Sequence, residues 1–197
     1  MLVLASASPR RRELLAQAGF SFEVHPAHVP EEPRAGEDPV SYVTRLAREK
    51  AQAVFHRLTR DSEPAMAHAE ALAVLGADTA VTVDGLVLGK PADAADAARM
   101  LRLLSGRSHR VVTGVALVTS GSTQVAAAST AVRFLVLSDE EIAAYIATGE
   151  PMDKAGAYAI QGRAARWIPG IEGCYSNVVG LPISLVSSLL ESHPRGS

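Results

Sequence analysis

The chain has 197 residues, of which 48% are hydrophobic and 20% are charged, as in ordinary globular proteins. This composition excludes a disordered chain and a coiled coil, and the length predicts one domain with a substantial core. A formal net charge of −2 argues against polymeric nucleic acid as a partner. The single cysteine, Cys174, excludes an internal disulfide and favours a cytoplasmic protein, and no apolar run reaches the ~18 residues of a membrane span.

The N-terminal part of the chain predicts two strands, two helices and two polar segments. Leu2–Ala5 is a short apolar run that is typical of a buried strand. Ser8 followed by Pro9 predicts the start of a helix, and Gly19 predicts its end. The segments that follow are a strand over Phe20–His25, a proline-rich loop over 26–39, a helix from Val40 to about Leu58 and a polar surface insertion over Thr59–Glu70.

The rest of the chain mixes strands with helices. Asp84-Gly85 between two apolar runs predicts a type I′ hairpin turn, and Ser138 opens a capping box for a helix that ends at Gly149. The other expected elements are strands over Leu72–Gly76, His109–Thr119 and Gln124–Leu137, helices over Ala92–Leu104 and Ile183–Leu190, and glycine-rich loops over Pro151–Pro182. The recurrence of both element types with a hairpin predicts an α/β fold with a mixed sheet.

A strand that leads into a basic helix start suggests an anion site near the N-terminus. Free N–H groups and the positive end of the helix dipole attract an anion there, and arginine can grip a phosphate through two parallel hydrogen bonds. The residues concerned are the hydroxyls of Ser6 and Ser8 and the guanidinium groups of Arg10 and Arg11. The alternative is a plainly capped helix with a solvated basic stripe.

Asp78 is the most promising candidate for catalysis. We expect it at the C-terminal end of an apolar strand, where open α/β sheets place their sites. The two-residue turn at Asp84-Gly85 would place Pro91 opposite Asp78 and bring Lys90 beside it. An ordinary surface ion pair is an equally good interpretation of that arrangement.

Three further features carry weaker signals. Glu31 and Glu32 in the proline-rich loop are expected to be solvated when taken alone, but together with Asp78 they offer the carboxylate oxygens that a divalent ion favours. Lys50 taken alone is expected on a solvated helix face. Gln161 lies between glycines that would let its amide approach a ligand closely, and the alternative is a loop side chain that faces water.

Taken together and in order, six segments resemble the Maf family of nucleoside triphosphate pyrophosphatases over essentially the whole chain. They are SASPRRRELL at 6–15, RLAREKA at 45–51, LGADTAV at 75–81, GKP at 89–91, DKAGAYAIQG at 153–162 and VVGLP at 178–182. The resemblance implies one domain over 1–197 with a mixed twisted sheet flanked by helices, two lobes around a cleft, and a homodimer. It also implies hydrolysis between the α and β phosphates with a divalent metal, Mg or Mn.

The resemblance assigns roles to individual residues. Ser6, Arg10 and Arg11 match phosphate-binding positions, and Asp78 matches the proposed proton acceptor. Further polar positions of the cleft are matched by Glu31, with Glu32 as the alternative, by Lys50 and by Lys90. Asp78 is expected to act as general base, as metal ligand or as both.

Three positions distinguish the substrate groups within the family. Arg10, Thr79 and Gln161 resemble the group that acts on dTTP and UTP, whereas the group that acts on 7-methyl-GTP has an aromatic residue, Gln and Glu there. A carboxamide can donate a hydrogen bond to O4 and accept one from N3–H of uracil or thymine. The resemblance therefore predicts a pyrophosphatase that removes dTTP, UTP or modified pyrimidine triphosphates from the nucleotide pool. The alternatives are a purine-directed enzyme of the same fold and a nucleotide-binding regulator of septum formation.

Overall fold

The protein is described by a computed structural model that covers residues 1–60 and 72–192. Their Cα positions group into two compact units. The described residues of the first unit lie within Met1–Asp78, Thr113–Ala128 and Gly180–Ser197, and the second unit consists of Thr79–Val112 and Ser129–Val179. Of the helices in the described ranges, none combines the length and apolar character that a membrane crossing requires.

Seven strands form a mixed sheet, which confirms the predicted α/β class. They are β1 (Leu2–Leu4), β2 (Glu23–Val24), β3 (Ala73–Val83), β4 (Leu86–Leu88), β5 (Ser108–Val118), β6 (Thr123–Arg133) and β7 (Gly170–Glu172). The order is β2-β1-β3-β5-β6-β7, with β4 paired to β3 outside that path. β1 runs parallel to β2 and β3, whereas the β3–β4 and β6–β7 pairs are antiparallel.

Helices flank the sheet. They are α1 (Pro9–Gln17), α2 (Pro39–Arg60), α3 (Ala94–Leu104), α4 (Asp139–Ile146), α5 (Tyr175–Val179) and α6 (Ile183–Glu191), with short 3-10 helices over Glu150–Asp153, Ala155–Ala157 and Arg163–Trp167. The described helix α2 extends to Arg60, so the first two residues of the predicted insertion are helical and the rest of it lies outside the described residues.

Several local signals are confirmed. Asp84 and Gly85 have φ values of 49° and 78°, as a type I′ turn requires. Ser138 and Glu141 form the capping box at the start of α4. The predicted loop region over 151–182 is wrong in part, because it contains β7, α5 and the 3-10 helices.

The first unit owes its close packing to glycine. Ala47, Ala51 and Val54 of α2 are fully buried in its core with Val3, Val74 and Ala116 of the sheet. A side chain at Gly76 of β3 would overlap the carbonyl oxygen of Ala47 and lie 2.9 Å from the amide nitrogen of Ala51. Because Gly76 has no Cβ, the backbone of α2 lies directly against the strand.

The core of the second unit is richer in aromatic rings. His109, Phe134 and Tyr158 meet edge to face with centroids 4.8–5.3 Å apart, and Tyr145 meets Trp167 in the same way at 5.1 Å. Such edge contacts are favourable because the positive rim of one ring faces the negative face of the next.

Candidate active site

A buried lysine lies at the centre of a charged cluster in the first unit. The Nζ atom of Lys50 is 2.6 Å from Oδ1 of Asp78 and 2.6 Å from Oε1 of Glu31. Lys50 and Asp78 are each only 8% exposed. We call Glu31, Lys50 and Asp78, together with Arg11, the Lys50 cluster. The expectation of a solvated helix face for Lys50 is wrong, because its ammonium group is buried and pairs with two carboxylates.

The packing of α2 on β3 explains how these residues meet. Gly76 and Asp78 are two residues apart in β3, so they lie on the same face of the strand. Because α2 touches the strand at Gly76 through Ala47 and Ala51, Lys50 in the same turn of the helix lies close enough to reach Asp78. The prediction that Asp78 ends a strand is wrong, because β3 continues to Val83. The ion pair with Lys50 compensates the cost of burying the Asp78 carboxylate, so the buried strand can continue past this residue.

The surroundings of Asp78 shift its protonation. Burial raises the pKa of the Asp78 carboxyl above its ordinary value, while the charges of Lys50 and Arg11 lower it and that of Glu31 raises it. A carboxylate whose pKa is raised toward neutral holds an abstracted proton better than an exposed aspartate does. The raised pKa of Asp78 is the property that a proton acceptor needs.

The loop before α2 is tied down so that Glu31 reaches the cluster. The hydroxyl of Tyr42 donates to the carbonyl oxygen of Glu31 at 2.8 Å, and Nη2 of Arg45 donates to that of Glu32 at 3.1 Å. Arg45 also binds both carboxylate oxygens of Glu37 at 2.6 and 2.7 Å. Of the two glutamates left open by the sequence, it is therefore Glu31 whose carboxylate meets Lys50.

The N-terminal basic motif adopts the expected strand and helix, with different roles for its side chains. Ser8 is the N-cap of α1, but its side chain makes no capping hydrogen bond. The hydroxyl of Ser6 accepts instead from the amide of Ser8 at 3.2 Å and from Nη1 of Arg11 at 3.2 Å. Arg11 donates further to the carbonyl oxygens of Ala77 at 2.9 Å and Gly180 at 2.8 Å. Nε and Nη1 of Arg11 are thus engaged with protein acceptors, and its guanidinium group holds a positive charge near Asp78.

The carboxylates of the cluster suit a divalent cation that shares its ligands with a substrate. Asp78 and Glu31 converge on one cation, the Lys50 ammonium group. Among the described residues, no group of three His, Cys, Asp or Glu side chains is placed to hold a metal. Magnesium is often held by one or two carboxylates together with substrate phosphates, and manganese accepts the same oxygen ligands. The residues present fit that kind of ion.

Three predicted site residues belong to the second unit. Thr79 follows Asp78 in β3 and is partly buried, whereas Lys90 and Gln161 are exposed. The β3–β4 ladder has the predicted register, with Val81 opposite Leu88, and its pairing ends there. The closeness of Lys90 to Asp78 therefore stays a prediction.

The glycines that flank Gln161 are explained by contacts within the protein. The amide of Gly156 donates to the carbonyl oxygen of Gly89 at 3.0 Å, and its φ is 70°. A side chain at Gly162 would overlap the carboxylate of Glu150. Contacts within the protein therefore explain these glycines as well as the close approach of a ligand does.

Helix geometry could have revealed the buried lysine from the sequence. Lys50 follows Leu46 by four residues and Ala47 by three, which places it inside the apolar stripe of α2. A charged side chain in such a stripe requires a partner. Tyr42, Arg45 and Glu37 carry no comparable signal, because their contacts depend on where an irregular loop returns to the helix.

Comparison with known proteins decides the family. The family model described as Maf-like protein matches residues 1–193. This chain belongs to the Maf family. Three relatives named dTTP/UTP pyrophosphatase illustrate the similarity. The dTTP/UTP pyrophosphatase of Koribacter versatilis is 56% identical over 189 residues, which cover 96% of this chain and 92% of the relative.

The other two relatives match the chain over a similar length. That of Pelotomaculum thermopropionicum is 50% identical over 192 residues, which cover 96% of this chain and 95% of the relative. That of Shewanella oneidensis is 50% identical over 194 residues, with 96% of each chain covered. The similarity thus extends along nearly the full length of each protein, as the six motifs predict.

Proposed function

We propose that this Maf protein hydrolyses dTTP and UTP to the nucleoside monophosphate and pyrophosphate. The observation that carries the proposal is the Lys50 cluster, where a buried carboxylate lies 2.6 Å from a buried ammonium group. Hydrolysis of this anhydride requires a group that accepts a proton from water and positive charge for the phosphate oxygens. The cluster combines both, and the relatives that share the chain's full length carry the same activity in their names.

In this proposal Asp78 orients the attacking water and accepts its proton. Lys50 keeps the carboxylate ionised and adds positive charge where negative charge develops at the α-phosphate. Arg11 adds a second charge next to Asp78, because its contacts to Ser6, Ala77 and Gly180 fix it in place. Arg10 and Ser8 at the start of α1, and Lys90, are assigned to the phosphates of the departing pyrophosphate.

Glu31 and Asp78 would hold the divalent cation. When bound, such an ion neutralises phosphate charge and makes pyrophosphate a better leaving group. Tyr42 and Arg45 serve this function indirectly, since they hold the loop that presents Glu31.

Selection of the base is assigned to Gln161 and Thr79. A carboxamide donates to O4 and accepts from N3–H of uracil or thymine, whereas guanine presents two adjacent donors to it. Guanine has a similar acceptor and donor at O6 and N1–H, but its additional N2 donor finds no second acceptor on the carboxamide, and this costs affinity.

The substitution Gln161→Glu tests the assignment of the base. A carboxylate cannot donate to O4, so we expect the ratio of kcat/KM for UTP to that for GTP to fall by about tenfold or more. The control is Gln17→Glu, which makes the same change at an exposed position near the end of α1. A ratio that is equal in wild type, control and Gln161→Glu would contradict the contact with the base.

A further inference from the structure

A buried tyrosine in the second unit holds the segment that carries Gln161. Tyr145 of α4 is 2% exposed. Its hydroxyl donates to Oε1 of Glu150 at 2.7 Å and accepts from the amide of Ala159 at 3.2 Å. One hydroxyl therefore connects α4, the 3-10 helix that begins at Glu150, and the chain just before Gln161.

Glu150 holds the other end of the same segment. Its carboxylate accepts from the amide of Arg163 at 3.1 and 3.3 Å. Gly162 makes room for this contact, because any Cβ there would overlap Oε1 of Glu150. The amide of Gly162 also donates to the carbonyl oxygen of Ala159 at 3.1 Å, which closes the turn around Gln161.

The ring of Tyr145 is itself held in place by its neighbours. The ring of Tyr145 meets Trp167 edge to face, and Nε1 of Trp167 donates to Oε1 of Glu141 at 3.1 Å. Gln161 itself is exposed. Tyr145 and Glu150 anchor the backbone two residues before and two residues after Gln161, and so fix the point from which its side chain extends.

We infer that Tyr145 and Glu150 are positioning residues that set the base selectivity of the enzyme by fixing the turn that presents Gln161. This inference rests on the proposed function, in which Gln161 reads the base. Neither residue needs to touch the nucleotide. A carboxamide can pair with both polar groups of the base only when its Cα lies at the right distance from them, and the anchored turn sets that distance.

The variant Tyr145→Phe tests the inference, because it keeps the ring and removes both hydrogen bonds of the hydroxyl. We expect the ratio of kcat/KM for UTP to that for GTP to fall by about tenfold, the effect of a lost hydrogen bond in a positioned site. Tyr175→Phe is the matched control, since Tyr175 is exposed on α5. An unchanged ratio in a folded Tyr145→Phe protein would overturn the inference.

A double-mutant cycle separates positioning from general loosening of the fold. In a Gln161→Ala background the added change Tyr145→Phe should leave the UTP to GTP ratio unaltered, because no amide remains to be positioned. A further fall of the same size in that background would overturn the inference. If Gln161→Ala alone leaves the ratio unchanged, the proposed reading of the base fails, and this result is distinct from a failure of positioning alone.

Gly162→Ala disturbs the contact between Glu150 and the amide of Arg163 without changing Tyr145. It therefore tests the inference even if the Tyr145→Phe protein does not fold. The φ of Gly162 is −105°, which any residue can adopt, so its Cβ acts only by displacing the Glu150 carboxylate. We expect the selectivity to fall as in Tyr145→Phe, again only while Gln161 is present. Wild-type selectivity in a folded Gly162→Ala protein would count against the inference.

Discussion

Lys50 holds a positive charge on the buried side of α2, and both anions that neutralise it belong to the candidate site. Replacing the paired carboxylate leaves its partner without full compensation, which is why buried ion pairs respond strongly to single substitutions. The same residues supply chemistry, since Asp78 is the proposed proton acceptor and its pKa is raised by burial. At the residue scale, the structure and the proposed catalysis therefore depend on one contact between Lys50 and Asp78.

Asp78→Asn should retain the fold and remove most of the activity. Asparagine keeps the size of the side chain but loses the negative charge and the basicity. We expect kcat/KM for UTP to fall by about 10²-fold or more, the usual contribution of a general base. Steady-state kinetics and circular dichroism on the same sample test this, and near-normal turnover would contradict the assignment of Asp78.

Lys50→Met should reduce activity to a similar degree for a different reason. Methionine fills the apolar stripe of α2 but provides no charge, so Asp78 loses the ammonium group that stabilises its ionised form. A loss of about 10²-fold in kcat/KM is expected, as for other removed charge stabilisers. Arg48→Met is the control on the exposed side of the same helix. Equal activities of the two variants would place Lys50 outside the mechanism.

The contact between α2 and β3 is what assembles the site at the scale of elements. Gly76 allows the helix backbone to approach the strand, and this approach sets the distance from Lys50 to Asp78. The residues that determine activity therefore include a glycine that performs no chemistry.

Gly76→Ala should damage both stability and activity. Its methyl group would overlap the carbonyl oxygen of Ala47, so α2 must move away from β3. Overpacking of this kind typically lowers the free energy of unfolding by about 1–3 kcal/mol. Urea denaturation measures the stability, and kcat/KM should fall with it. Gly121→Ala is the control, because nothing lies within 4 Å of its Cβ position; equal stability of the two variants would refute close packing at Gly76.

Local signals predicted much of the secondary structure, because they depend on neighbouring residues only. The Asp84-Gly85 turn fixed the hairpin register, and Ser138 with Glu141 fixed the start of α4. The interruption expected at Asp78 was wrong, since an isolated carboxylate looks like the end of a strand until its partner in a distant helix is known. Tyr145 and Glu150 could not be predicted as a pair with the Gln161 turn, because that contact joins segments through tertiary packing.

At the scale of the whole molecule, a buried histidine makes the stability depend on pH. Nε2 of His109 bonds the hydroxyl of Tyr158 at 2.8 Å, and within the described residues its Nδ1 has no hydrogen-bond partner. Burial lowers the pKa of His109 from 6.5 to about 4. The folded protein therefore favours the neutral imidazole, whereas the unfolded chain takes up a proton as the pH falls below about 6.5.

Acid should weaken the fold over the interval between those two pKa values. The contribution of His109 is fully present above pH 6.5 and is lost progressively as the pH falls to about 4. Between pH 7 and pH 5 the linkage amounts to about 2 kcal/mol in the free energy of unfolding. Urea titrations at both pH values should show a smaller loss in the double variant His109→Phe/Tyr158→Phe, which removes both partners of the hydrogen bond. Equal losses in the two proteins would assign the acid sensitivity to other groups.

Hydrolysis of UTP in ¹⁸O-labelled water, followed by ³¹P nuclear magnetic resonance, tests the proposed function most directly. In the proposed function, the nucleophile is water that Asp78 directs at the α-phosphorus. The label should therefore appear in UMP, and the pyrophosphate released in equal amount should contain none. Label in the pyrophosphate would move the attack to the β-phosphorus, and formation of UDP with orthophosphate would contradict the pyrophosphatase assignment altogether.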